Sequence, residues 1–253
     1  MKINQLKENK KRKTVCRRAE GETEPQNRLA REIKEYLREV EDFQRVSKPF
    51  TKQIFKMVSD ILKENFSQKL RILISGSVNT DLHTPESNIN LLVSYSYKKY
   101  DKQKQQVFVN NIKYFVQMMQ DQGLAKVSLE EKKFLSIVKL EFGESLRRQK
   151  VELTFIYFQN DQQIAKDQQV KKFLVDFRPL KSLYLLTKRM LEPHGLTNPA
   201  LGGLKSLCLI YLIIAYLKEL RKTKEIESMS EAELFEGLLY FYGFSFNYKT
   251  HFI

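Results

Sequence analysis

Ile74-Ser75-Gly76-Ser77, followed by Pro85-Glu86-Ser87-Asn88-Ile89-Asn90-Leu91-Leu92-Val93, is the stretch from which the rest of this chain can be read. The run Leu70 to Ser75 is short, apolar and β-branched enough for a buried strand, and Gly76-Ser77 marks a turn opening the next element. A second strand is expected from Ile89 to Tyr95. Alternate side chains of a strand share a face, so residues 88 and 90 point together. Backbone N–H groups at a glycine turn bind anions, and the Ser77 hydroxyl adds a rotatable donor. A Gly-Ser pair after an apolar strand is also an ordinary turn; the spacing to Asn88 and Asn90 is what gives this one weight.

Three later stretches extend the pattern. Lys150-Val151-Glu152-Leu153-Thr154-Phe155 alternates as a half-buried strand, in which Glu152 is either a ligand for a hard cation or a solvent-facing charge. Leu183-Tyr184-Leu185-Leu186-Thr187-Lys188 precedes Gly195-Leu196-Thr197-Asn198, and Leu201-Gly202-Gly203-Leu204-Lys205-Ser206-Leu207 then opens an apolar helix. Phe241-Tyr242-Gly243-Phe244-Ser245-Phe246-Asn247-Tyr248-Lys249 follows. Taken alone, Lys188 also reads as a solvated helix charge, Gly202-Gly203 as the loop before a helix, and Tyr240 and Tyr242 as packing aromatics.

In this order and spacing the motifs resemble the DNA polymerase beta-like nucleotidyltransferase superfamily, in particular the TRAMP-type poly(A) polymerases and terminal uridylyltransferases. The resemblance implies an α+β, two-lobed fold: a small mixed-sheet palm and a helical central, PAP-associated domain. It implies that Asn88 and Asn90 stand where the family has Asp-x-Asp, and that Glu152 occupies the third carboxylate position, one methylene longer. By the same resemblance Gly76, Ser77, Lys188 and Ser206 bind nucleotide, with Lys188 at the triphosphate. The tyrosine on which the base usually stacks is Leu207 here, which removes a contact worth roughly 1–3 kcal/mol. Magnesium prefers anionic oxygens, and at an effective dielectric of ~20 each lost pairing of unit charges at ~4 Å forfeits roughly 4 kcal/mol before compensation. All three ligand positions depart from the pattern, which points to a degenerate site.

Composition agrees with a partner of polyanions. The chain has 253 residues, 44 basic against 30 acidic side chains and a formal charge of +14, so RNA is the first partner to expect. Cys16 and Cys208 lie in unlike contexts and suggest no disulfide framework, as in a reducing compartment. His83, His194 and His251 sit on separate segments without i, i+4 partners, which argues against a zinc site. Leu204 to Leu220 is apolar nearly all round, yet its longest uncharged run, Ser206 to Leu217, is well short of the ~20 residues that span a bilayer. It is expected to be a buried helix, and no membrane partner is expected.

The expected organisation is a basic, disordered tail over 1–27, carrying Lys10-Lys11-Arg12-Lys13 and Arg17-Arg18, then two amphipathic helices over 28–66 separated at Pro49. A palm over 67–160 follows, with strands near 70–75, 89–95, 134–140 and 151–158 and a helix within 103–120. Gln159 to Gln169 reads as a linker before the helical region, 170–253. That region stops at Ile253, before the stretch with which relatives close on the nucleobase, and so reads as truncated.

Two functional readings remain. One is a nucleotidyltransferase-like pseudoenzyme serving as an RNA-binding or scaffold subunit of an RNA-processing complex, with a protein partner, a catalytic subunit among the candidates, and no cofactor. The other is an active terminal nucleotidyltransferase adding AMP or UMP to RNA 3′ ends, with magnesium or manganese held by Glu152 and substrate phosphates. The basic tail favours an intracellular, nuclear setting over a cytoplasmic one and leaves a mitochondrial one open.

Overall fold

The structure, a computed structural model, describes residues 24–66, 70–95, 102–123, 125–132, 135–143, 149–156, 162–223 and 225–247. Residues 1–23 of the expected tail, Cys16 among them, His251 and the Tyr248-Lys249 end of the last motif lie outside the described residues, while residues 24–27, expected to be disordered, belong to the first helix.

Helix α1 (Glu24–Asn65) leads into strands β1 (Leu70–Ser75) and β2 (Ile89–Tyr95), helix α2 (Lys102–Asp121), and strands β3 (Ala125–Glu131), β4 (Leu135–Phe142) and β5 (Lys150–Ile156). Helices α3 (Gln162–Asp176), α4 (Leu180–Leu191), α5 (Ser206–Arg221) and α6 (Glu231–Tyr240) complete the chain. The sheet order is β1-β2-β5-β4-β3, and only the β2–β5 pair is parallel. A parallel neighbour requires a crossover, and α2 with the β3–β4 hairpin supplies the chain between β2 and β5. The fold is thus α+β with a mixed sheet, as the sequence led us to expect.

Two hydrophobic cores organise the molecule. In the first, Ile89, Leu91, Val93, Val138, Leu140, Val151, Leu153 and Phe155 form one sheet face, packed against Phe108, Ile112, Phe115 and Met119 of α2. Phe155 sits at its centre, with the rings of Phe66, Phe108 and Phe115 each about 6 Å away. The second joins Leu180, Leu183, Tyr184 and Leu185 of α4 to Leu209, Ile210, Ile213, Ile214 and Leu217 of α5 and to Leu234 and Leu238 of α6. α5 is thus buried along one face, with Cys208 and Tyr211 exposed on the other rather than covered all round as expected, and among the described residues no helix is long and apolar enough to cross a membrane. Ser230 starts α6 with a capping box: Glu233 N–H donates to its Oγ at 3.3 Å and its own N–H donates to Glu233 Oε2 at 2.9 Å.

Three expectations need correction. The two helices expected before the sheet are one helix, α1, which runs through Pro49 for 42 residues, roughly 63 Å. A mid-helix proline costs ~3 kcal/mol, but here each half is anchored: Val40 is buried in the second core, and Ile54, Val58 and Leu62 in the first. The linker expected over Gln159–Gln169 is helical from Gln162 onward. Its glutamines and lysines are good helix formers on a mostly exposed helix, so polarity imitated a loop. Strand β3 was not expected at all. As an edge strand it buries only the small or partly covered Ala125, Val127 and Leu129, while Lys126, Ser128 and Glu130 alternate outward.

Candidate active site

The site begins where β1 ends. Gly76 has φ +70°, and a Cβ there would come within 2.9 Å of Asn90 Nδ2. Only glycine adopts that conformation without penalty while letting β2 approach so closely. The following turn is closed by Thr80 N–H donating to Gly76 O at 3.1 Å and Leu82 N–H donating to Ser77 O at 2.9 Å. It reverses the chain into the loop that carries Thr84, Ser87 and Asn88 toward β2.

Strand register then sets the chemistry. Ser75 pairs with Asn90, Asn90 with Glu152, Glu152 with Lys139 and Lys139 with Ser128, a single row crossing all five strands. Since Ile89, Leu91, Val151 and Leu153 are buried on the core side, period-two alternation puts Asn90, Glu152 and Lys139 together on the open face. Asn90 and Glu152 line one cleft of about 310 Å³ with Ser75, Gly76, Thr154, Gln163 and Lys166. Asn88 lines an adjoining cleft of about 340 Å³ with Lys126, Lys139, Lys150 and, again, Glu152. The three expected ligand positions therefore gather around Glu152, although Asn88 and Asn90 face different clefts on either side of it. The carboxylates of these clefts are Glu152 and, beside Lys139 and Lys150, Glu141; the amides at 88 and 90 supply none of the anionic oxygen that a pair of divalent cations prefers. Among the described residues no group of three or more His, Cys, Asp or Glu side chains forms a metal cluster.

Sequence reasoning missed Asp167. Its side chain, on α3, is carried against the Gly76 turn, and the residue is 5% exposed. Oδ2 accepts from Gly76 N–H at 3.0 Å and from Asn79 Nδ2 at 2.9 Å, and Oδ1 from Gln163 Nε2 at 3.2 Å. Lys171 Nζ donates to Asn79 Oδ1 at 2.9 Å, closing the network with a cation. A signal existed: Asp167 lies three residues before buried Val170 on the covered stripe of α3, where an acid is out of place unless something holds it.

The remaining expected positions are placed elsewhere. Lys188 on α4 is no solvated charge; its side chain is 12% exposed, and Nζ donates to Thr84 Oγ1 at 3.1 Å and Ser87 Oγ at 3.2 Å, with Glu192 at 3.9 Å. It thereby holds the loop leading to Asn88, but lines neither cleft. Ser206 opens α5 and hydrogen-bonds Tyr184, whose hydroxyl is pushed up in pKa by burial, an effect the Ser206 bond partly offsets. Ser77 and Ser206 likewise line neither cleft. Leu207 packs against the second core.

No protein-family model matches the sequence, and neither does any curated protein sequence. Solved structures do match. The polymerase core of TRAMP, an RNA surveillance complex, superposes with a TM-score of 0.70 at 20% identity, covering 90% of this chain and 68% of that one. A chain of the GLD-2/RNP-8 complex gives 0.67 at 16% identity over 88% and 76%. A cytoplasmic RNA terminal U-transferase gives 0.59 at 15% identity over 85% and 74%. The chain shares the fold of these polymerase and transferase structures. Within this fold, the open sheet face carries Asn90, Glu152 and Lys139 in one row, with the register partners Glu141 and Lys150 beside it.

Proposed function

We propose that this protein is a nucleotidyltransferase-like pseudoenzyme that serves as an RNA-binding or scaffold subunit of an RNA-processing complex. The observation that carries the reading is the row Asn90–Glu152–Lys139, in which the carboxylate has a neutral amide on one side and a lysine on the other. Directly paired side chains of neighbouring antiparallel strands lie roughly 4.5–5.5 Å apart at Cβ, so the Lys139 side chain emerges directly beside Glu152 on the open face. The formal charge of +14 supports RNA as the partner, and the relatives include polymerases found in complexes. A basic amino-terminal tail and a nuclear setting, with the palm over 67–160 and the helical region over 170–253, belong to the same reading, as does a protein partner that supplies catalysis.

The test is primer extension with purified protein, an RNA primer, each nucleoside triphosphate, and magnesium or manganese. No extension is expected from the wild type. The triple change Asn88→Asp, Asn90→Asp and Glu152→Asp is expected to gain manganese affinity in calorimetry, and to extend RNA only weakly until Leu207→Tyr is added. Robust extension by the wild type would replace this reading with that of an active terminal nucleotidyltransferase using Glu152 and magnesium or manganese.

A further inference from the structure

The turn after β1 presents an N–H of the kind that binds phosphate, from a glycine at positive φ. In this protein that N–H is already taken. We infer that the Gly76 turn is an anion site whose resident ligand is the chain's own Asp167 carboxylate, which keeps free polyphosphate out of the cleft. This deepens the reading above and rests on it, but it is testable without metal, RNA or turnover.

The argument is one of donors and charge. A carboxylate on a residue 5% exposed must be hydrogen-bonded or paired to be tolerated, and Asp167 meets three N–H donors, the Gly76 backbone and the Asn79 amide of the turn and the Gln163 amide of its own helix. Lys171 reaches this cluster through Asn79, and Lys166 lines the cleft on which Gly76 opens. Without the Asp167 carboxylate, the three donors and two lysines that remain are the furnishings of a phosphate pocket. With it, an incoming phosphate would find its hydrogen bonds occupied and a negative charge in its place. Lys188, engaged by Thr84 and Ser87, is likewise committed within the chain. A mere anchor of α3 would need only one such bond and no convergence of a backbone N–H and a side-chain amide of the turn with an amide of the helix itself.

The experiment is calorimetry with inorganic tripolyphosphate at about 150 mM salt, where diffuse attraction to the basic surface is screened. Full-length wild type, Asp167→Ala, Asp167→Ser and the double variant Asp167→Ala with Asn79→Ala are compared. Asp167→Ala is expected to bind tripolyphosphate at least tenfold more tightly than wild type, and its melting temperature is expected to rise with the anion by more than that of wild type. The double variant is expected to lose most of that gain. If Asp167→Ala does not fold alone, Asp167→Ser, which keeps a small hydrogen-bonding side chain without the charge, decides in the same way. Equal affinity in wild type and folded variants overturns the inference, as does a gain that survives loss of Asn79. Wild-type extension of RNA in the earlier assay would strike the pseudoenzyme reading, while the tripolyphosphate affinities of wild type and variants decide this inference separately.

Discussion

Asn90 on β2 and Glu152 on β5 are register partners in the one parallel pair of the sheet, both facing away from the core. An acid at position 90 would stand directly beside Glu152, next to the Gly76 turn. Position 88 is two residues nearer the loop and opens on the cleft holding Lys126, Lys139 and Lys150. Asn90→Asp alone is therefore expected to raise manganese affinity by about tenfold, ~1.4 kcal/mol, and Asn88→Asp alone by clearly less. Calorimetry on the two single variants checks the order, and equal effects would mean that the lysine-lined cleft does not separate them.

Gly76→Ala is expected to destabilise the protein by about 1–3 kcal/mol, because alanine is strained at φ +70° and its Cβ would press on Asn90 Nδ2. Combining it with Asn90→Ala should recover the steric part and leave the backbone part. Urea unfolding of the three variants measures both; a loss under ~0.5 kcal/mol for the single change would contradict the close approach of β1 and β2.

Tyr216 is buried beside Gly237, its hydroxyl lacks a hydrogen-bond partner, and burial pushes its pKa up to about 12. Removing an unsatisfied buried hydroxyl is neutral to favourable. Tyr216→Phe should leave stability unchanged or raise it by up to about 1 kcal/mol. Gly237→Ala should lower it by ~2 kcal/mol or more, since the new methyl would overlap the Tyr216 hydroxyl in a packed core. Thermal melts of the two variants move in opposite directions if this packing is right.

His83 is 4% exposed, with Nε2 at 3.2 Å from Ser47 Oγ, the edge of Phe43 against its ring, and Nδ1 unpartnered. Burial lowers its pKa from the ordinary 6.5; nearby Asp81 opposes this, while Lys181, Lys48 and Lys188 reinforce it. The unfolded chain thus binds the proton more readily than the folded one, and stability is lost as pH falls through 6.5 toward the lowered folded value. Urea midpoints between pH 7.5 and 5 should fall more steeply for wild type than for His83→Gln. Parallel curves would show that other groups govern the acid limb.

RNA affinity is expected to fall steeply with salt, log against log, with a slope set by the number of phosphates neutralised. Deleting residues 1–18 should flatten that slope. Filter binding across a salt series reads it directly, and an unchanged slope would assign the basic surplus to another partner.

Several features were legible in local sequence because their causes are local. Alternation from Lys150 to Phe155 reports which face of that strand is buried, whereas the grouping of Glu152 with Asn90 came from the family resemblance. Gly76 between two apolar strands reported a turn, and the apolar run of α5 reported a helix packed in a core, though only one face of it is buried. Strand β3 alternates in Ala125-Lys126-Val127-Ser128-Leu129 but was missed, because a half-buried edge strand carries a weak hydrophobic signal. Pro49 misled because backbone rules describe an isolated helix, whereas α1 is held from both ends by two cores.

Contacts between distant segments were decided only by tertiary structure. Lys139 beside Glu152 depends on the register of β4 against β5, and the split of Asn88 from Asn90 depends on how the β3–β4 hairpin lies against the end of the row. Asp167 on Gly76 spans 91 residues. Periodicity states which side chains must leave water. Which of them meet is set by how the helices pack on the sheet, and that packing turned a glycine turn suited to phosphate into one already filled from within.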